Sequence, residues 1–193
     1  MPNGTKNILI ITAHPSAKNL TKGLAQIYKD EKESKGFTVK TVDLYEDKQL
    51  PYLSFEDAQY IEQSKEISYY QEQIIWADEI VIIYPFWWGS MPAILKNWVD
   101  SILTAGFAFQ YGDNGRPYGL LQGRSVRIIT TCGAPKFLYC LNGIHRANVN
   151  IWKKSIIKFC GMDFDGYHLF GGVDSSGKKV DKIFDAVKKM AQK

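Results

Sequence analysis

Tyr139 and His145 stand six residues apart in the stretch TTCGAPKFLYCLNGIHR, with Gly143 between them. A hydroxyl and an imidazole brought together by a folded-back loop can hold or move a proton beside a reacting group. The spacing alone does not bring them together, and a single His ahead of a helix also reads as a surface or capping residue. Two other stretches could supply a ligand for that pair to act on. AHPSAKNLTKGL carries His14, Ser16, Lys18, Asn19 and Thr21 at the mouth of a helix. Free N–H groups and the positive dipole end there favour a phosphate, although the same loop reads as an ordinary capped helix start. YPFWWGSMP, residues 84–92, sets Phe86, Trp87 and Trp88 directly after an apolar run, then Gly89 and Ser90. Aromatic clusters commonly close a core. A flat conjugated ring resting on this turn, its edge bonded by backbone N–H groups, would use both the bulk and the backbone. Gly133, after Thr131 and Cys132, lets the chain approach such a ring closely.

These three stretches follow strand-like segments. NILIIT (7–12), FTVKTVDL (37–44), EIVIIY (79–84), SVRIITT (125–131) and YHLFGG (167–172) are compact, mostly apolar runs. Helical spacing fills the intervals. Leu20, Leu24, Ile27 and Tyr28 form a stripe within 18–35, closed by Gly36, and a helical region after about Asp57 ends near Trp76. PAILKNWVDSIL follows, with Pro92 suited to its first turn. A helix is expected over Arg146–Cys160, and a last one places Val180, Ile183, Phe184, Val187 and Met190 on one face. Residues 107–123 read as an excursion with a tight turn at Asp113-Asn114-Gly115. Strands alternating with helices predict an α/β fold with a parallel sheet covered on both faces, doubly wound. Ligands then bind outside the carboxyl ends of the strands, where the three loops lie.

Composition excludes several other classes. The chain of 193 residues is 45% apolar and 23% charged, with a formal charge of +4. That mild excess lacks the dense basic stripe of a nucleic-acid binder. Three cysteines, Cys132, Cys140 and Cys160, without C-x-x-C spacing, speak against a disulfide framework or a zinc site and suit a reducing cytosol. No signal-peptide pattern opens the chain, and no apolar run reaches the roughly 20 residues of a membrane span. A cytoplasmic protein is expected. His14, His145 and His168 have no metal-ligand spacing. GVDSSGK (172–178) spells G-x-x-x-x-G-K, but Lys179 stands where a phosphate loop needs Ser or Thr. The lysine-rich tail carries Asp181 and Asp185 and a clear apolar stripe, as a docked helix does.

Together the three loops resemble the flavodoxin-like NAD(P)H:quinone oxidoreductase family, which includes DT-diaphorase, bacterial general-stress quinone reductases and ancillary subunits of potassium efflux systems. The resemblance runs from NILIITAHP to about Gly172 and is most specific in PAILKNWVDSILTAGFAFQY, TTCGAP…Y…LNGIH and IKFCGM. It implies one flavin-binding domain over 1–193, with a five-stranded sheet in the order 2-1-3-4-5. His14, Lys18, Asn19 and Leu20 match the segment holding the flavin's phosphate and ribityl chain; many members have Ser and Phe at the last two positions. Pro85, Phe86, Trp87, Trp88 and Gly89 match the turn beneath the isoalloxazine ring. Thr131, Cys132, Gly133 and Ala134 match the loop along its pyrimidine side. Tyr139 and His145 match the pair that takes up charge or a proton in hydride transfer. Phe109 and Tyr111 match aromatics that close the opposite subunit's pocket in a homodimer.

The implied activity is two-electron hydride transfer from NAD(P)H to a quinone or similar flat acceptor, in ping-pong order, with Trp88, Phe109, Tyr111 and His145 around the substrate. Mammalian-type members have a bulky aromatic where Gly89 stands and a C-terminal extension that this sequence lacks, so a roomier pocket and FMN in place of FAD are expected. The alternative is a flavin-bearing regulatory subunit docked on a potassium-efflux membrane transporter. A one-electron flavodoxin carrier would more often be strongly acidic.

Overall fold

A computed structural model describes residues 6–47, 50–52, 64–173 and 177–193. Strand β1 (Asn7–Thr12), β3 (Glu79–Pro85) and β6 (Ser125–Cys132) are buried almost throughout, as their continuous apolar runs require of strands covered on both faces. β2 (Thr38–Asp43) is the more exposed edge, and β7 (Asp163–Gly171) is the other. All four pairings are parallel, in the order β2-β1-β3-β6-β7. With the small antiparallel hairpin β4 (Phe109–Tyr111) and β5 (Pro117–Gly119) set aside, this is the expected 2-1-3-4-5 order. The hairpin turn falls where the sequence places it, with Gly115 N–H donating to Gly112 O at 2.8 Å.

Parallel neighbours need long crossovers, and here these are helices. α1 (Leu20–Ser34) and α6 (Val180–Ala191) cover one face; α2 (Lys65–Trp76) and α3 (Ala93–Ile102) cover the other. Successive strand residues part between the two layers. Ile8, Ile10, Val81 and Ile83 pack under α1 and α6, whereas Leu9, Ile11, Ile80 and Ile82 pack under the opposite helices. That is the two-residue period of a pleated strand.

Three expectations change in detail. The single helix over Arg146–Cys160 is instead α5 (Ile144–Asn150) running into a π-helical segment, Ile151–Ile157. Lys158 N–H reaches back five residues to Lys153 O at 3.0 Å, the wider turn of that geometry. His145 therefore lies inside the first turn of α5, not ahead of it. β7 begins four residues before Tyr167, because Asp163 and Phe164 pair with Ser125 and Val126 ahead of a bulge. Residues 136–141, read as loop, form a short helix, α4. The start of the helical region near Asp57, and Asp174, Ser175 and Ser176 of the G-x-x-x-x-G-K stretch, lie outside the described residues.

The sheet also buries charge. Lys32, Glu79 and Arg127 are each less than a tenth exposed. Lys32 Nζ lies 3.0 Å from Glu79 Oε2, and Arg127 Nη1 donates to Tyr28 Oη at 2.9 Å. Tyr28 Oη in turn donates to Glu79. Burial, reinforced by Glu79, holds the Tyr28 hydroxyl far above its usual range, so it stays protonated and able to bridge the two. Arg127 also binds Asp165, the extra residue at the bulge. Buried charges are tolerable only when paired this fully.

Candidate functional site

Because the sheet is parallel, the segments after β1, β3 and β6 leave by the same edge. The backbone stitches them together: Ala13 N–H donates to Ile83 O at 3.2 Å and Phe86 N–H to Thr131 O at 2.7 Å.

After β1, Asn19 caps α1 in an extended conformation, its Oδ1 accepting from Lys22 N–H at 3.0 Å. Its Nδ2 donates to Ser16 O. The first N–H groups of the helix have no intrahelical partner, and its first turn holds no acidic residue. Lys18 is exposed, and no ion pair among the described residues engages it. Lys22 is committed elsewhere, to Asp43 at 2.8 Å and to Glu46. Ser16 N–H donates to His14 Nδ1 at 3.1 Å, which leaves Nε2 as the protonated nitrogen. Burial, with Lys22 nearby, lowers the His14 pKa, so the ring is a neutral donor at pH 7. An anion fits this end of the site.

After β3, Trp87 and Ser90 exchange backbone bonds of 3.1 and 2.9 Å around Trp88 and Gly89. Both central residues have positive φ, 50° and 76°, the signature of a type I′ turn. Trp88 is the only non-glycine residue in that region among the described residues, and its side chain is fully exposed. A Cβ at Gly89 would meet Ile144 Cγ2 at 3.4 Å. The glycine therefore serves the turn's backbone and its seat on α5. Its missing side chain opens toward α5, not toward the depression beside the turn. Phe86 is buried and holds the Tyr139 ring edge-on at 5.1 Å, and Trp87 tilts against His14 at 5.6 Å.

A left-handed backbone costs a residue with a Cβ about 1–2 kcal/mol, and Trp88 recovers none of it by packing. Trp88→Asn supplies the residue that type I′ turns prefer before glycine. The variant should melt about 2–4 °C higher, measured by thermal unfolding. An unchanged melting temperature would mean that the turn is relaxed.

After β6, the chain passes Cys132, Gly133 and Ala134 into α4 and α5. Cys132 is buried, its Sγ directed to Ala134 O at 3.2 Å; burial raises its pKa, so it is an inert thiol. A Cβ on Gly133 would meet only Val173 O, at 3.5 Å, so protein packing leaves that face open. In this part of the fold packing demands a glycine at Gly171, which no sequence pattern marks: its Cβ would lie 2.3 Å from Lys136 N. Tyr139 sits on α4 and His145 on α5, and no hydrogen bond joins them among the described residues. His145 instead meets Tyr167 edge-on at 5.6 Å. Burial and Lys136 lower its pKa, and its Nε2 is buried without a partner.

The three loops enclose a depression of about 220 Å³ lined by His14, Leu20, Thr21, Pro85, Phe86, Trp87, Thr131, Cys132, Gly133 and Val173. An exposed indole edge, an open glycine face and an acid-free helix mouth suit a flat ring carrying an anionic tail. Lys18, Asn19, Trp88, Gly89, Ala134, Tyr139 and His145 lie around this lining rather than in it. Phe109 and Tyr111 stay apart from it, on β4, where Phe109 tilts against Phe159 at 4.8 Å and Tyr111 is exposed. Thr21 and Val173 join the lining; Val173 carried no signal in the sequence because a strand end brings it there.

The chain matches the flavodoxin-like fold family over residues 6–193. It is 31% identical over 180 residues to a Haemophilus influenzae protein described as an uncharacterized NAD(P)H oxidoreductase, covering 91% of this chain and 89% of that one. It is 28% identical over 183 residues to human ribosyldihydronicotinamide dehydrogenase [quinone], covering 81% and 78%. The NAD(P)H:quinone oxidoreductase from Methanothermobacter marburgensis superposes with a TM-score of 0.87 at 21% identity, over 98% of this chain and 96% of that one. The chain belongs to the flavodoxin-like NAD(P)H:quinone oxidoreductase family.

Proposed function

We propose that this protein is a flavin-dependent NAD(P)H oxidoreductase that reduces quinones or similar flat acceptors by two-electron hydride transfer, in ping-pong order and as a homodimer. The convergence of three loops on one depression at the β1–β3–β6 edge carries this reading. A bound flavin, with FMN expected over FAD, supplies the hydride chemistry. The chain binds, orients and protonates. His14, Lys18, Asn19 and Leu20 would hold the phosphate and ribityl end, through the α1 amides, the lysine charge and the His14 Nε2–H donor. Pro85, Phe86, Trp87, Trp88 and Gly89 would form the bed of the ring, and Thr131, Cys132, Gly133 and Ala134 would run along its polar edge.

Tyr139 and His145 serve the acceptor. Phe86 holds the phenol ring and Tyr167 the imidazole. Tyr139 Oη–H and an imidazole N–H donate to the oxygen that gains charge when hydride arrives. An unpaired buried nitrogen is costly to keep, and rotation of the His145 ring toward an acceptor oxygen would relieve that cost at Nε2. Trp88, exposed and held by its turn, covers the substrate.

The depression is smaller than the roughly 300–1,000 Å³ of pockets that enclose a ligand. A second subunit, contributing its Phe109 and Tyr111, would supply the missing wall. A groove of about 550 Å³ lined by Lys96, Phe109, Ile151 and Phe159 offers the surface for that association. Three free thiols suit a cytoplasmic setting.

The test is to release the bound flavin and identify it by mass, and then to vary both substrates in steady state. FMN and parallel reciprocal lines are expected. A colourless protein that takes up no flavin would overturn the reading, and intersecting lines would overturn the shared site.

A further inference from the structure

Asn148 is 4% exposed and sits on α5, one turn from Ile144. Its Nδ2 donates to Gly89 O at 2.7 Å and to Ile144 O at 3.0 Å. Two carbonyls facing one nitrogen fix the amide's orientation, since the flipped group would set oxygen against oxygen. Oδ1 is left buried with no partner, a cost that an aliphatic side chain of similar volume would avoid. The amide must therefore be kept for its donors. The Ile144 bond stays within the helix, whereas the Gly89 bond spans 59 residues of sequence to reach the strained turn. Ile144 packs the same spot from the side, 3.4 Å from where a Gly89 Cβ would be. His145 lies between these two contact residues on the helix.

We propose that Asn148 is a positioning residue: it latches the Trp87–Ser90 turn to α5, so that the Trp88 ring and the His145 imidazole are held as one unit. The inference rests on the assignment of Trp88 and His145 to the substrate site. The latch bonds the carbonyl of Gly89, immediately after Trp88, and this local anchor opposes relaxation of the left-handed backbone. Without it the turn can open and carry Trp88 away while the rest of β3 and α3 stays in place.

The test uses the full-length, flavin-loaded enzyme. Asn148→Leu keeps the volume and removes the donors; Asn148→Asp keeps the shape and opposes a carboxylate to two carbonyl oxygens. Each should raise KM for NAD(P)H about tenfold, the effect of one lost buried hydrogen bond, with a smaller change in kcat. In a Trp88→Ala background the same substitutions should add less than about twofold, because the group they position is gone. Trp88 emission, taken as the difference between proteins with and without Trp88, should lose anisotropy in Asn148→Leu. A lower melting temperature with unchanged KM and anisotropy would make Asn148 merely structural and overturn the latch. Effects that multiply independently with Trp88→Ala would overturn it too. If Trp88→Ala leaves KM unchanged, the assignment of Trp88 fails, and the anisotropy alone decides the latch. Should Asn148→Leu not fold, Asn148→Ser, which keeps a donor but cannot reach Gly89 O, carries the same measurements.

Discussion

His145→Gln and Tyr139→Phe should each lower turnover about 100-fold, within the usual range for a positioned proton donor, and leave the flavin content unchanged. A factor of that size is about 2.7 kcal/mol of transition-state stabilisation. The two residues lie outside the lining of the depression, so neither substitution should release the ring. Both also sit on short helices whose burial does not depend on the removed atoms: α4 has no buried residue and α5 buries only Asn148. The pH profile separates the two roles. Burial and Lys136 hold the His145 pKa below its usual 6.5, so at pH 7 the ring is neutral and donates through one N–H. As pH falls below that range the ring gains a proton and becomes a stronger donor to a developing oxyanion. Wild-type turnover should therefore rise along an acid limb below pH 6.5, and His145→Gln should flatten it. Tyr139→Phe should lower the whole profile and keep the limb. Normal turnover in both variants would remove their assigned roles, and a limb that survives in His145→Gln would belong to another group.

Gly171→Ala should destabilise the fold by about 3 kcal/mol, the upper end for overpacking. That is a fall of about 6–12 °C in melting temperature for a chain of this size. The new Cβ would lie 2.3 Å from Lys136 N, 2.8 Å from Ala134 O and 2.9 Å from Lys136 Cα. These are backbone atoms, so no side-chain rotation relieves the clash. The alternatives are to push the 134–136 segment off the end of β7 or to break the Gly172 N–H to Ala134 O bond of 2.9 Å. Either moves the loop that lines the depression through Thr131, Cys132 and Gly133. Gly133→Ala is the control. Its Cβ meets only Val173 O at 3.5 Å, so stability should barely change, while flavin affinity should fall because the added methyl enters the open face. Equal stability losses in the two variants would mean that the loop yields, and that the close approach at Gly171 is not required.

The two glycines illustrate what a sequence pattern can and cannot carry. Gly133 was conspicuous because it follows a strand at the ligand edge; Gly171 was not, because its neighbour Lys136 is 35 residues away and meets it only once β6 and β7 pair. The same holds for Asn148, an unremarkable amide in a helix until the turn at Gly89 is placed beside it. The helix α4 leaves no trace in the sequence for a different reason. It has six residues, no side-chain cap and no buried face, so periodicity has nothing to report, and Phe137 and Leu141 point outward. The start of β7 is hidden because Asp163 and Asp165 alternate with half-buried neighbours at an edge, where polarity mimics a loop. No sequence spacing marks Lys32, Glu79 and Arg127 as buried, and their pairing through Tyr28 is what makes that burial tolerable.

By itself the sequence determined the layered α/β architecture, the strand order through the family resemblance, and the three loops that share an edge. Apolar runs buried on both faces and helical stripes are local, periodic signals, and a right-handed parallel crossover leaves few ways to join them. Tertiary structure alone decided that Trp88 is held in a left-handed turn, that Asn148 ties that turn to the helix of His145, and that Phe109 and Tyr111 stand apart from the depression in a single chain. The turn itself is local, but its tie to Asn148 and the seat of Phe109 on Phe159 join residues 50 or more positions apart, whose geometry exists only after the sheet has set the loops side by side.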